Sequence, residues 1–371
     1  MPAACPTVTM LGRRVARLLL GLGLAGTACL VQAATPLHIA AALDRPVIAP
    51  VLAAFERAHP DIDIRYADLA TRAVEHRIHD ISRPPDVVIS SAMPSQLAAA
   101  NAGYAARLSG PTIANWPARF KWRDAVFGFT FEPVVFAYRA DLLPADMNLD
   151  SHGALYRALT DRRPQFCGRV AIYDPAQSAV GYALYQADAG HTARFWQLVS
   201  AFGRARAHQL PDTRAMLTGL SEGRFVLAYN LLGAYARRYA RTHPEIRIVA
   251  PTDYTLMLSR MVFVHRAAPH PDAARRFVTY LLSQQGQRVL THQTQLAGPP
   301  RADPSAGRPS ATRPADQPRI MPIALDAGLL AQVDPAQRRR DLAQWQARFA
   351  VPGQPRCRSA DRVSAHAGPS R

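Results

Sequence analysis

Apolar positions along the chain switch between two periods. Leu37 to Ala42 is a short apolar run, and Leu43-Asp44-Arg45 comes after it as a turn. From Pro46 to His59, Val47, Val51, Leu52 and Phe55 share one helical face, with Pro46 near the start and Pro60 just past the end. Ile62 to Tyr66 alternates apolar and polar as a strand does, and Thr71 to Ile81 returns to a helical period. Val87-Val88-Ile89 is a β-branched run suited to a strand buried on both faces. Ser90 and Ser91 end it, Pro94 sits where a first helical turn accepts proline, and Gln96 to Asn101 continues as a helix. The order β-α-β-α-β-α predicts a parallel sheet covered on both sides.

Phe127 to Pro144 breaks the alternation. Phe127 to Phe131 and Val134 to Tyr138 are two extended runs with only Glu132-Pro133 between them. A long strand interrupted by proline can carry the chain from one domain to another; an edge strand or hairpin is the plainer alternative. Beyond it, the pattern predicts helices over 151–160, from Tyr182, over 195–206, 213–222 and 234–242, and strands over 170–173, 225–229 and 246–250. Gly223 fits a left-handed helix end, and Asn230 to Gly233 reads as a turn. Met257 to Val264 is apolar and extended, a return crossing. Pro271 to Leu282 and Ser283 to Gln293 are helical. Residues 297–319 are rich in proline, arginine and serine and predict an irregular loop; 325–330 and 334–350 are closing helices, and 351–371 a flexible basic tail.

Composition narrows the compartment and the partners. With 371 residues, 49% of them hydrophobic, there is material for two medium domains with their own cores. The formal charge is +17, and since Lys121 is the one lysine the basicity is arginine. No aromatic interleaving accompanies it, and Arg338-Arg339-Arg340 reads as a solvated helix face, so nucleic acid is not an expected partner. Arg13, Arg14 and Arg17, then an apolar stretch from Leu18 to Val31, then Val31-Gln32-Ala33 read as a secretion signal over residues 1–33. The Gly26-Thr27-Ala28 context of Cys29 does not favour lipidation, so a soluble periplasmic protein is expected. Cys167 and Cys357 then remain and can pair in an oxidising compartment; spacing alone does not decide it.

Candidate chemistry centres on residues 86–96. A buried strand that stops at serines and feeds a helix leaves free N–H groups and a positive dipole end at the carboxyl edge of a parallel sheet. A serine cap without a ligand is the competing reading. His76 and His79 lie at i, i+3 on a helix without a further identifiable ligand, and read as surface residues. Glu132 is a hinge acceptor or a cleft residue. Tyr182, Tyr185 and Tyr239 read as packing residues. There is no G-x-S-x-G elbow, no histidine beside Ser90 or Ser178 in sequence, and no P-loop or dinucleotide fingerprint, so neither an enzyme nor a cofactor is expected.

Taken together, Asp86-Val-Val-Ile-Ser-Ser-Ala-Met, Trp122-Arg-Asp, Gly128-Phe-Thr-Phe-Glu-Pro-Val-Val-Phe-Ala-Tyr, Asp174-Pro with Ser178 and Gly181, Ala228-Tyr-Asn-Leu-Leu-Gly-Ala-Tyr, and Pro251-Thr-Asp-Tyr-Thr-Leu-Met-Leu-Ser-Arg resemble the extracellular solute-binding proteins of ABC transporters. Within them the chain is similar to the iron(III)- and phosphoester-type branch, from about Leu37 to Phe349. The resemblance implies the two-lobed periplasmic-binding-protein-like II fold, an α/β architecture of two mainly parallel sheets joined by two crossing strands. Residues 34–131 and 255–350 would form lobe 1 and 132–254 lobe 2, with crossings near Thr130–Pro133 and Pro251–Leu256. The ligand residues it implies are Asp44, Ser90, Ser91, Ser178, Tyr229, Asn230, Tyr254 and Glu132, with no metal. Branch members that hold ferric iron directly use adjacent tyrosines. Here the corresponding pair is Tyr229-Asn230, with Tyr235 off that face, which favours a small anionic solute, a phosphorylated metabolite before a dicarboxylate. The implied partner is an inner-membrane ABC permease, or alternatively a sensor kinase to which ligand is presented, and the protein is expected to be a monomer.

Overall fold

The computed structural model describes residues 34–192, 194–300 and 318–350. The proposed secretion signal, the basic tail with Cys357, and most of the Pro/Arg-rich loop lie outside these residues. From Thr35 onward the chain forms one unit, built on two sheets. The first has the order β2-β1-β3-β12-β5-β4, where β1 is Thr35–Ala41, β2 Ile62–Asp68, β3 Val87–Ser90, β4 Lys121–Trp122, β5 Val126–Gly128 and β12 Met261–Val264. The second has the order β13-β11-β6-β9-β7-β8, with β10 also on β6. Here β6 is Glu132–Arg139, β7 Val170–Tyr173, β8 His208–Leu210, β9 Leu227–Leu232, β10 Ile246–Val249, β11 Thr255–Leu258 and β13 Ile320–Pro322.

The same arrangement occurs in both sheets. Strands β1, β2 and β3 run parallel, as do β7, β8 and β9. Each of these six ends at a helix: Arg45–Ala58, Thr71–His79, Met93–Asn101, Ala179–His191, Thr213–Ser221 and Gly233–Ala240. Apolar runs without alternation on β3, β7 and β9 are buried along their whole length, as both-sided cover requires. Phe55, Phe127, Phe129 and Phe277 fill one core beside the first sheet. Phe136, Phe166, Phe202 and Trp345 fill another beside the second. A third apolar cluster takes residues from both, among them Val88 and Leu97 with Val134 and Leu231.

The chain leaves the first sheet after β5 and enters the second at β6, crossing at 129–131. It returns between β11 and β12, at Ser259 and Arg260, within the apolar Met257–Val264 run and past the Pro251–Leu256 stretch. The two crossings run side by side: Met261 pairs with Gly128, Leu258 with Glu132, and Phe129 N–H donates to the Arg260 carbonyl at 2.9 Å.

Three features depart from the sequence pattern. The stretch 255–350 does not stay with the first sheet. β11 and β13 pair within the second, and helix Pro335–Ala350 lays Trp345 into the second sheet's core. Its Asp341 accepts from the Tyr182 hydroxyl at 2.7 Å and Gln186 at 2.9 Å, so a buried acid, not hydrophobic period alone, decides where that helix docks. Second, where the pattern predicts a turn at 230–233, β9 continues to Leu232 and Gly233 opens the next helix. Opposite β6 the register shifts by one residue between Ala228 and Leu231, and Asn230 takes a φ of 60°. This is a β-bulge, with the asparagine in the left-handed region it tolerates better than most residues. Third, β8 and β13 are three-residue strands with little β-branched content, too short to show a period. Gly223 does adopt the left-handed conformation (φ 71°) that its place after a helix suggested.

The closing helix rests on a close backbone approach. A Cβ at Gly203 would lie 1.8 Å from the Phe349 carbonyl oxygen. Gly203→Ala should therefore force the two helices apart and cost about 1–3 kcal/mol, measured by denaturant unfolding; an unchanged midpoint would show that the helix is not held by this contact.

Candidate functional site

The carboxyl ends of all six parallel strands open on one cleft of about 540 Å³. From the first sheet come Ala42 and Asp44 after β1, Asp68 to Arg72 after β2, and Ser91 after β3. From the second come Tyr173, Gln177 and Val180 after β7, Pro211 to Arg214 after β8, and Leu232 and Tyr235 after β9. Arg260, on the return crossing, forms part of the wall. Six helix N-termini thus surround one space. Two carry side-chain caps: Ser178 accepts from Gly181 N–H at 3.1 Å, and Asp212 from Ala215 N–H at 2.8 Å. The helices starting at Arg45, Thr71, Met93 and Gly233 have no such cap. Arg45 N–H is nonetheless taken by Asp68 Oδ2 at 3.3 Å and Met93 N–H by the Ser91 carbonyl at 2.9 Å, and Pro46 and Pro94 have none, so it is mainly the dipole ends that lend the cleft positive character.

Side-chain charges in the lining balance, with Asp44, Asp68 and Asp212 against Arg72, Arg214 and Arg260. Arg214 bonds Asp44 at 2.7 Å across the cleft and lies 3.9 Å from Asp68. Asp44 also accepts from the Tyr235 hydroxyl at 3.0 Å. Asp212 is engaged by its own helix. Arg72 has no hydrogen-bond or ion-pair partner among the described residues, which leaves a cation at the rim for a ligand. Burial pushes the Tyr235 hydroxyl up to about 12, and burial likewise raises Tyr173, which bonds the Thr213 hydroxyl. Both are neutral hydroxyls at physiological pH.

Glu132 lies behind the wall, fully buried. Arg260 donates to its two oxygens at 2.7 and 3.3 Å, Thr130 Oγ1 donates at 2.8 Å, and Arg260 also reaches the Ala42 carbonyl at 3.1 Å. The guanidinium lies 5.0 Å from the centre of the Tyr235 ring. Burial works against the Arg260 charge, but the Glu132 carboxylate together with Tyr235 and Tyr66 raises the Arg260 pKa overall.

The remaining candidate residues divide between the cleft and other sites. Ser91 lines the cleft; Ser90 Oγ accepts from Ala92 N–H at 3.1 Å inside the same turn. Ser178 caps its helix. Tyr229, Asn230 and Tyr254 converge elsewhere, on buried Asp188: the two hydroxyls donate at 2.9 and 2.8 Å and the amide at 2.5 Å. His152 stacks on Tyr254 at 3.9 Å and bonds Asp253 at 2.8 Å. Burial raises the Asp188 pKa, against the lowering effect of His152 and the three donors. Tyr235, read from sequence as off that face, lines the cleft from the first turn of helix Gly233–Ala240, where its hydroxyl meets Asp44. The sequence pattern does not single out Arg72, Tyr173, Gln177 or Arg214. One signal could have found the arginines: the tripeptide Thr-Arg-Ala opens both helix 71–79 and helix 213–221, one on each sheet.

These features define a solute-binding protein, with ligand space at the carboxyl edges of two doubly covered sheets. The sequence profile of bacterial extracellular solute-binding proteins matches residues 37–293, and the chain belongs to that family. Among solved structures it is similar to the substrate-binding protein of an ABC transporter from Agrobacterium tumefaciens, at 30% identity over 85% of this chain and 96% of that one, with a TM-score of 0.77. The iron-bound HitA of Pseudomonas aeruginosa (18% identity, 83% and 99% covered, TM-score 0.62) shares the fold. So does AfuA of Actinobacillus pleuropneumoniae with fructose-6-phosphate bound (15% identity, 85% and 98% covered, TM-score 0.65). No curated protein matches by sequence. Among the described residues no helix is long and apolar enough to cross a membrane.

Removing half of a buried ion pair leaves the other charge without compensation. Glu132→Gln should cost about 3–5 kcal/mol, seen as a large fall in the unfolding midpoint. A loss below about 1 kcal/mol, the range of solvated pairs, would mean that water reaches Arg260.

Proposed function

We propose that the cleft captures a small anionic solute, a phosphorylated metabolite in first place, closes on it by motion about the paired crossings, and delivers it to an inner-membrane ABC permease. The observation that carries this reading is the convergence of six helix N-termini, four without side-chain caps, on a space that also holds Arg72. Such a site supplies partial positive charge from the helix ends, together with the Arg72 guanidinium, which suit phosphate or carboxylate oxygens. The volume of about 540 Å³ suits a small metabolite. Direct ferric binding finds less support, since no two cleft tyrosines are adjacent in sequence and their hydroxyls are engaged with Asp44 and Thr213. The sugar phosphate bound by AfuA is a ligand of the favoured class.

Thermal unfolding of the mature protein with sugar phosphates, dicarboxylates and ferric citrate tests the reading, because a ligand that binds only the folded state raises the midpoint. A phosphate ester is expected to raise it most. Arg72→Ala should leave the unliganded midpoint unchanged and weaken that ligand about 10–100-fold, the worth of a hydrogen bond to a charged group. Stabilisation by ferric citrate alone, or an Arg72→Ala variant of full affinity, would overturn it.

A further inference from the structure

Away from the cleft, at the opposite end of the first sheet, three metal-binding side chains meet. His38 lies midway along β1, Asp86 immediately precedes β3, and His270 is the N-cap residue of helix Pro271–Leu282. One ligand atom from each lies within 4.8 Å of the other two. Asp86 and cleft-lining Ser91 are separated by the length of β3, roughly 16 Å at about 3.3 Å per residue.

We propose that His38, Asp86 and His270 form a binding site for a borderline divalent cation, of which Zn²⁺ is the fitting member. The Asp86 carboxylate is completely buried and is aimed by the backbone. Its Oδ2 accepts from His38 N–H at 2.8 Å, and its Oδ1 from His270 N–H at 2.6 Å. Asp86 N–H donates in turn to the His38 carbonyl at 2.8 Å, and the Asp86 carbonyl accepts from His265 N–H at 3.0 Å. The acid is therefore held before any ion arrives, and its second lone pair on Oδ2 faces the two rings. His270 Nδ1 is hydrogen-bonded to Oδ2 at 3.2 Å, and His38 Nδ1 stands 3.4 Å from the same oxygen.

Those separations are long for charge-assisted hydrogen bonds, which run about 2.7–2.9 Å. They lie close to the edge of a tetrahedron around zinc, roughly 3.3–3.6 Å for metal–ligand bonds of about 2.0–2.2 Å, and the third separation, between the rings, is within 4.8 Å. Two imidazoles and one carboxylate are also the donor set that Zn²⁺ accepts, with a fourth position left to water. The His38 side chain is 49% exposed and that of His270 27%, so the ion has a path in from solvent. Positive charge nearby is neutralised in part: Arg65 and Arg77, in the groove beside His38, pair with Asp63 at 2.6 Å and Asp80 at 3.3 Å. A bound ion would join β1, β3 and the start of the 271–282 helix at one point.

Titration of chelator-treated, tag-free protein with Co²⁺, and then Zn²⁺ competition, tests the site. The expected result is one equivalent of Co²⁺ with the intense visible absorption of a tetrahedral site, displaced by Zn²⁺. His38→Ala and His270→Ala should each weaken binding by more than about 100-fold, since changes even to outer-shell partners cost 10–100-fold; Arg72→Ala should leave it intact. Each variant also removes a partner of the buried Asp86 carboxylate and should lower the metal-free unfolding midpoint, so binding is compared at a temperature at which every variant is folded. Absence of the absorption, a weak octahedral spectrum, or equal binding by the His38→Ala/His270→Ala double variant would overturn the assignment.

Discussion

The buried pair of Glu132 and Arg260 is the constraint on which the two-sheet arrangement turns. Burying two charges is costly, and the attraction between them offsets that cost only with good geometry and further hydrogen bonds. Both conditions hold. The guanidinium meets two carboxylate oxygens, the Ala42 carbonyl and the face of Tyr235, while Thr130 Oγ1 bridges by donating to the acid and accepting from Arg260 N–H. These partners come from the end of β1, from both crossings and from the helix after β9. A hydrophobic pair could fill the volume but could not fix their mutual orientation. The same arginine forms part of the cleft wall, so what ties the sheets together also shapes the space between them.

Much of the fold was legible because local and tertiary signals agree where both faces of a sheet are covered. The β-branched run Val87–Ile89 and the amphipathic helices 45–58 and 271–282 show their period plainly. The resemblance to extracellular solute-binding proteins of ABC systems added the paired crossings. Information failed where an element is too short for a period, as in β8 and β13. It also failed where a buried polar group chooses the neighbour: Asp341 takes its helix to Tyr182 and Gln186, and no pattern within residues 335–350 announces that choice.

The site was legible at the level of strand ends, less so at the level of side chains. Asp44 and Ser91 line the cleft. Ser90 and Ser178 serve the local turns that serines commonly serve. Tyr229, Asn230 and Tyr254 gather on Asp188, a partner 41, 42 and 66 residues away, and sequence proximity gives no hint of it. The arginines were hidden by abundance, since in a chain so rich in them one more at a helix start carries little signal. Only the repeated Thr-Arg-Ala separates Arg72 and Arg214 from the background.

The extra residue in β9 has an evolutionary corollary. Side chains on a strand alternate sides, so Leu231 and Leu232, the strand positions after Asn230, owe their facing to that single insertion. Relatives with a regular ladder here would be out of phase with this chain by one place, even where their residues look alike. Matching letters between such proteins would therefore pair an inward side chain with an outward one. A change of length by one in this segment would turn Leu232 away from the cleft that it lines.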